Sequence, residues 1–104
     1  MGLDMYLSLD GKEVGYWRKH PNLHGYIVST FANGVDECQE IPLKFDDVMK
    51  IIESVKEKKL PHTEGFFFGY SNSEDDVETL VIFGEVENQM RINPNAKLVY
   101  QASW

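Results

Sequence analysis

Trp17-Arg18-Lys19-His20-Pro21-Asn22-Leu23-His24 places an indole, two cations and two imidazoles in one short stretch that runs into an expected helix. That combination suits anion recognition. The first turn of a helix offers N–H groups with no intrahelical acceptor and a partial positive charge, which together favour an anion. Arg18 adds a planar fork able to grip phosphate or carboxylate through two hydrogen bonds. Trp17 adds a stacking face for a base or other ring. The competing reading is that Arg18 and Lys19 pair with the chain's own carboxylates, which are plentiful: 17 Asp and Glu against 10 Lys and Arg, for a formal net charge of -7.

Other reactive side chains are scattered. His20 and His24 are four apart and share a face of a helix, a spacing that can put two imidazoles on one metal, with Cys38 and His62 as further ligands. Those two arrive from separate segments and no spacing brings them in, so no metal and no cofactor is assigned. Cys38 sits beside the carboxylates of Asp36 and Glu37, a poor setting for a thiolate nucleophile, and is read as buried and inert. A lone cysteine also suits a reducing cytoplasm. His62-Thr63-Glu64 holds an acid–base pair on an expected loop. Phe66-Phe67-Phe68 between Gly65 and Gly69 reads as a short buried segment, with an aromatic wall for a ligand as its functional alternative.

The elements that must position these groups follow from periodicity. Leu3, Met5, Leu7 and Leu9 alternate with Asp4, Tyr6 and Ser8, the pattern of a half-buried strand. Asp10-Gly11 makes a tight turn, and Lys12–Trp17 returns as the second arm of a hairpin. Pro21 opens a helix that runs to about Ala32, with Leu23, Ile27, Thr30 and Phe31 on one face and Asn33-Gly34 as its stop. Gly25 weakens it by about 1 kcal/mol relative to Ala. Residues 37–43 read as a short strand that Pro42 confines to an edge or end. Phe45–Lys58 is the clearest helix, with Phe45, Val48, Met49, Ile52 and Val55 as its apolar stripe and acidic and basic ends that complement the dipole. Residues 74–91 carry both a helical spacing and a β-branched run, Thr79–Phe83. The acidic start after Ser73 decides for helix, with Val77, Leu80, Val81 and Gly84 on one face and Phe83, Val86 and Met90 beside it. Lys97–Trp104 closes as a strand with Leu98, Tyr100 and Ala102 on one side.

The expected fold is therefore α+β, one domain over residues 1–104. A small, mostly antiparallel sheet is built from the N-terminal hairpin, a short central strand and the C-terminal strand, and two or three helices cover it. No apolar run reaches the roughly 18–20 residues of a membrane span. The first six residues lack the basic and apolar regions of a secretion signal and the Ser/Thr of a myristoylation signal, so a cytoplasmic protein is expected. The acidic balance disfavours direct nucleic-acid binding, which needs a basic face.

Met1-Gly2-Leu3-Asp4-Met5-Tyr6, Tyr16-Trp17-Arg18-Lys19 with Leu23-His24, Leu60-Pro61-His62-Thr63 running into Gly65-Phe66-Phe67-Phe68-Gly69, and Tyr100 with Ser103-Trp104 together span nearly the whole chain. This pattern resembles a small bacterial and phage protein family of unknown role. The resemblance implies a bacterial or phage-infected host cytoplasm. Members often carry the label phosphoglycerate kinase, which does not fit this chain. That kinase closes two large domains on nucleotide and acid, 104 residues cannot supply them, and neither common Gly-rich phosphate loop is present. No catalytic residue is carried over.

The functional expectation is a small-ligand binding protein. Trp17, Arg18, Lys19, His20 and His24 would line a pocket for an anionic, nucleotide-like molecule, with His62 and Phe67 as secondary walls and modulation of a host pathway as the outcome. Two alternatives stand beside it. One is an acidic protein–protein inhibitor of a basic host protein; the other is a small enzyme using His24 or Cys38.

Overall fold

The computed structural model describes residues 2–63 and 73–104. Strand β1 (Asp4–Leu9) buries Met5, Leu7 and Leu9 and turns Asp4, Tyr6 and Ser8 to the other face, as its period-two pattern requires. Asp10 and Gly11 both take positive φ, 51° and 83°, and return the chain into β2 (Lys12–Arg18). A bulge interrupts the pairing, because Leu7 faces Gly15 while Ser8 faces Glu13. Gly15 sits next to that bulge where a helix comes close: a Cβ there would lie 2.6 Å from Cγ2 of Ile82.

Helix α1 (Pro21–Phe31) starts on its proline and ends where Asn33 and Gly34 turn left-handed, with Gly34 N–H donating to the Val28 carbonyl at 3.0 Å. Strand β3 (Ile41–Leu43), helix α2 (Phe45–Lys56), helix α3 (Ser73–Ile92) and strand β4 (Leu98–Ser103) follow among the described residues. The four strands form one antiparallel sheet in the order β2-β1-β4-β3. One face of it, carrying Met5, Leu7, Trp17, Leu43, Leu98, Tyr100 and Ala102, is covered by Leu23 and Ile27 of α1, Val48 and Ile51 of α2, and Phe83 and Val86 of α3. The fold is α+β, with a small antiparallel sheet and, among the described residues, three helices.

Several expected details shift. The strand expected over 37–43 shrinks to β3, because residues 35–39 satisfy their own hydrogen bonds: Glu37 N–H donates to Gln39 Oε1 at 2.8 Å and Gln39 Nε2 to the Val35 carbonyl at 2.7 Å. Pro42 lies exposed on the edge strand, the place a residue without an N–H can occupy. Each helix also buries a face slightly rotated from the expected one. His24 and Val28 are buried in α1 while Thr30 is exposed, and Ile51 is buried in α2 while Met49 is exposed. In α3 the buried side is Thr79, Phe83, Val86 and Met90, which leaves Val77 and Val81 outside. Both flanks of α3 are apolar, so periodicity alone does not choose between them; packing against α2 and β2 does.

Candidate functional site

The strand–helix junction is built by backbone geometry. Lys19 takes φ 60° and donates its N–H to the Leu3 carbonyl at 2.8 Å, which turns the chain from β2 into α1. Arg18, the last residue of β2, is exposed opposite Asp4. Trp17, before it, points inward. It is buried, its Nε1–H donates to Thr79 Oγ1 at 2.9 Å, and its ring stacks on Phe83 at 5.7 Å. The indole face expected for a ligand ring is therefore taken up by the core.

His20, the residue before α1, is fully buried with Nε2 3.2 Å from Oδ1 of Asp76 in the first turn of α3. Burial pushes its pKa below the usual imidazole value, and Asp75, Asp76 and Glu78 push the other way. The acidic first turn of α3 thus occupies the neighbourhood where the junction's positive groups would meet an external anion. His62 is exposed on the segment after α2. Next to it, Thr63 N–H donates to Asn22 Oδ1 at 3.0 Å, and Thr63 lies where a Cβ on Gly25 would have to go. This segment therefore closes on the start of α1. Phe67 lies outside the described residues.

His24 faces a different way. Its Nδ1 is 2.6 Å from the Tyr100 hydroxyl, and its Nε2 is 3.0 Å from both carboxylate oxygens of Asp36. One neutral tautomer satisfies both contacts: Tyr100 donates to Nδ1, and Nε2–H donates to Asp36. Trp104 meets the imidazole edge-on at 5.6 Å. Burial first, and the Asp36 charge second, raise the Tyr100 pKa well above that of a free phenol. The hollow shared by His24, Asp36, Cys38 and Tyr100 leaves no room for a water-sized molecule. His20 and His24 therefore diverge to separate carboxylates. Among the described residues no group of three or more His, Cys, Asp or Glu is arranged to hold a metal ion.

A more open hollow of about 530 Å³ lies where β3 and β4 meet the start of α2 and the end of α3. Its walls include Leu43, Phe45, Met90, Ala96 and Leu98, its cations are Lys44, Arg91 and Lys97, and among the described residues no carboxylate lines it. The sheet register brings two of the cations together: Leu43 pairs with Leu98 in antiparallel sense, so Lys44 and Lys97 follow on adjacent strands. Arg91 comes from the last turn of α3, with its guanidinium 5.0 Å from the Phe45 ring centroid. Two carboxylates lie close by. Asp47 accepts the Lys44 backbone N–H at 2.9 Å and so engages the backbone of that residue, whereas Glu87 meets the Arg91 guanidinium itself at 3.5 Å, a long and partly solvated pair that contributes little in water. Lys97 also borders a smaller hollow with Asp10 and Glu40.

This second set was missed in the sequence because its members lie in three separate segments, and each reads alone as an ordinary helix-end or loop cation. The available signal was the pairing of the 41–43 and 98–103 strands, whose register was not assignable beforehand. Compared with protein-family models, with curated proteins and with solved structures, the chain matches none.

Proposed function

We propose that the protein binds a small anion with an apolar or aromatic body, held in the hollow between Lys44, Arg91 and Lys97. The observation that carries this reading is the convergence of three cations on an apolar hollow that no carboxylate lines among the described residues, in a chain whose net charge is -7. A volume of about 530 Å³ suits a small organic ligand rather than a bare ion. The Leu43, Met90 and Leu98 floor would take the body of the molecule, and a planar ring would lie against Phe45. The cations would hold its phosphate or carboxylate by charge-assisted hydrogen bonds. A nucleotide-like ligand remains within this class. In the bacterial or phage setting that the sequence resemblance implies, such a protein would sequester an anionic metabolite and so modulate a host pathway.

The junction at residues 17–24 is the second reading. Arg18 and Lys19 keep their charge near the surface and His62 lies on the adjoining segment, which supports an outer contact for an anion. Asp75, Asp76 and Glu78 oppose it, since they already surround His20. Titration calorimetry with 1-naphthyl phosphate, decanoate and inorganic phosphate separates the two places. The hollow should bind the first two and not inorganic phosphate alone. The Lys44→Ala/Lys97→Ala double variant should weaken binding about tenfold or more, while Arg18→Ala/Lys19→Ala leaves it unchanged. Loss of binding in the Arg18/Lys19 variant, with the Lys44/Lys97 variant unaffected, would move the site to the junction.

A further inference from the structure

Helix α3 leaves apolar side chains outside the fold. Val77 is 63% exposed, Val81 69% and Ile92 84%. At about 100° per residue, Val77, Val81, Gly84, Asn88 and Ile92 fall within one narrow arc, opposite the buried Thr79, Phe83, Val86 and Met90. Glu74, Glu78 and Glu85, all exposed, border that arc on one side. A stripe of this kind has no role in the core.

Gly84 supplies an independent observation. A glycine in a helix interior costs about 1 kcal/mol relative to alanine. Here, among the described residues, a Cβ would meet no heavy atom within 4 Å apart from the helix's own backbone, so tertiary packing does not require the glycine. What a missing side chain in the middle of an exposed stripe provides is close approach for another backbone, as at helix crossings where small residues shorten the axial distance.

We infer that this outer face of α3 docks an amphipathic helix of a partner protein, with an apolar seam and a basic flank. The seam covers Val77, Val81 and Ile92, the partner's backbone crosses at Gly84, and its Lys or Arg side chains meet Glu74, Glu78 and Glu85. Charge selects this occupant over a second copy of the chain. An antiparallel pairing of α3 with itself would set its Glu78 and Glu85 against the same acidic flank of the other copy, and like charges at that distance repel. The inference is independent of the Lys44–Arg91–Lys97 hollow, none of whose cations lies in the stripe.

The test is fluorescence anisotropy of a labelled 18-residue Leu/Lys amphipathic helix titrated with the full chain at physiological salt. The native chain should bind it saturably. Val81→Asp adds a negative charge, so a purely electrostatic contact would tighten; a seam contact should weaken about tenfold or more. Gly84→Ala should raise the melting temperature and lower the affinity together, and this opposition is the signature of a glycine kept for approach. Circular dichroism of each variant confirms the fold. Absence of saturable binding by the native chain overturns the inference, as does unchanged or tighter binding by Val81→Asp. Dimerisation of the chain alone that Val81→Asp abolishes would assign the face to a second copy instead.

Discussion

Replacing Tyr100 by Phe tests whether the His24 network holds the fold together. The substitution keeps the ring, which is almost wholly buried, and removes the hydroxyl 2.6 Å from His24 Nδ1. Losing one partner from a buried polar pair costs roughly 1–3 kcal/mol, because the remaining group stays desolvated. Taking about 2 kcal/mol and about 4 °C per kcal/mol for a domain near 100 residues, the melting temperature should fall by roughly 8 °C. Asp36→Asn tests the other side of the ring, and the two changes should couple by about 0.5 kcal/mol or more because they share His24. Tyr100 also predicts a direction at alkaline pH. Burial raises its pKa in the fold well above that of a free phenol, so the unfolded chain loses the phenolic proton first. Stability should therefore decline as pH rises past about 10, and Tyr100→Phe should flatten that decline. Chemical denaturation at pH 7 and pH 10.5 reads both effects. A Tyr100→Phe variant as stable as the native chain, with additive behaviour beside Asp36→Asn, would refute the reasoning.

Gly25→Ala should destabilise, although alanine is the better helix former by about 1 kcal/mol, because Thr63 occupies the space of the new Cβ. Pairing it with Thr63→Gly should recover stability, and calorimetric melting of the two variants checks this. On the acid side, burial holds the His20 pKa below the ordinary imidazole value of about 6.5 against the pull of Asp75, Asp76 and Glu78. The unfolded chain then binds a proton the fold resists, so stability should drop as pH falls below about 6.5, with a contribution of up to roughly 1.4 kcal/mol per pH unit. His20→Gln should reduce that slope in denaturation curves at pH 7 and pH 5.5; an unchanged slope would remove His20 from the explanation.

Strands, helices and their order were legible because local signals agreed with one another. Alternation placed β1 and β4, Asp10-Gly11 placed the hairpin, and Pro21 with Asn33-Gly34 bounded α1. What periodicity does not settle is which of two apolar flanks faces inward: Val81 lies on the outer flank of α3, and Ile51, outside the apolar stripe expected for α2, is buried. The roles of Trp17, His20 and His24 were also hidden. A tryptophan beside two cations and a pair of histidines has the composition of a ligand site, but its partners here, Thr79, Asp76, Asp36 and Tyr100, come from distant parts of the chain. Only the tertiary fold shows that these groups bond one another. For the same reason Lys44, Arg91 and Lys97 gave no motif. Gly25, read from sequence as a small cost to its helix, has a steric reason in Thr63.

The most direct measurement of where an anion binds is a two-dimensional amide NMR titration of the native chain with 1-naphthyl phosphate. Binding in the Lys44–Arg91–Lys97 hollow requires progressive, saturable shifts at residues 43–45, 90–91 and 96–99, with Arg18, Lys19 and His24 little changed. Shifts concentrated at residues 17–24 and 62–63, with the hollow silent, would contradict it.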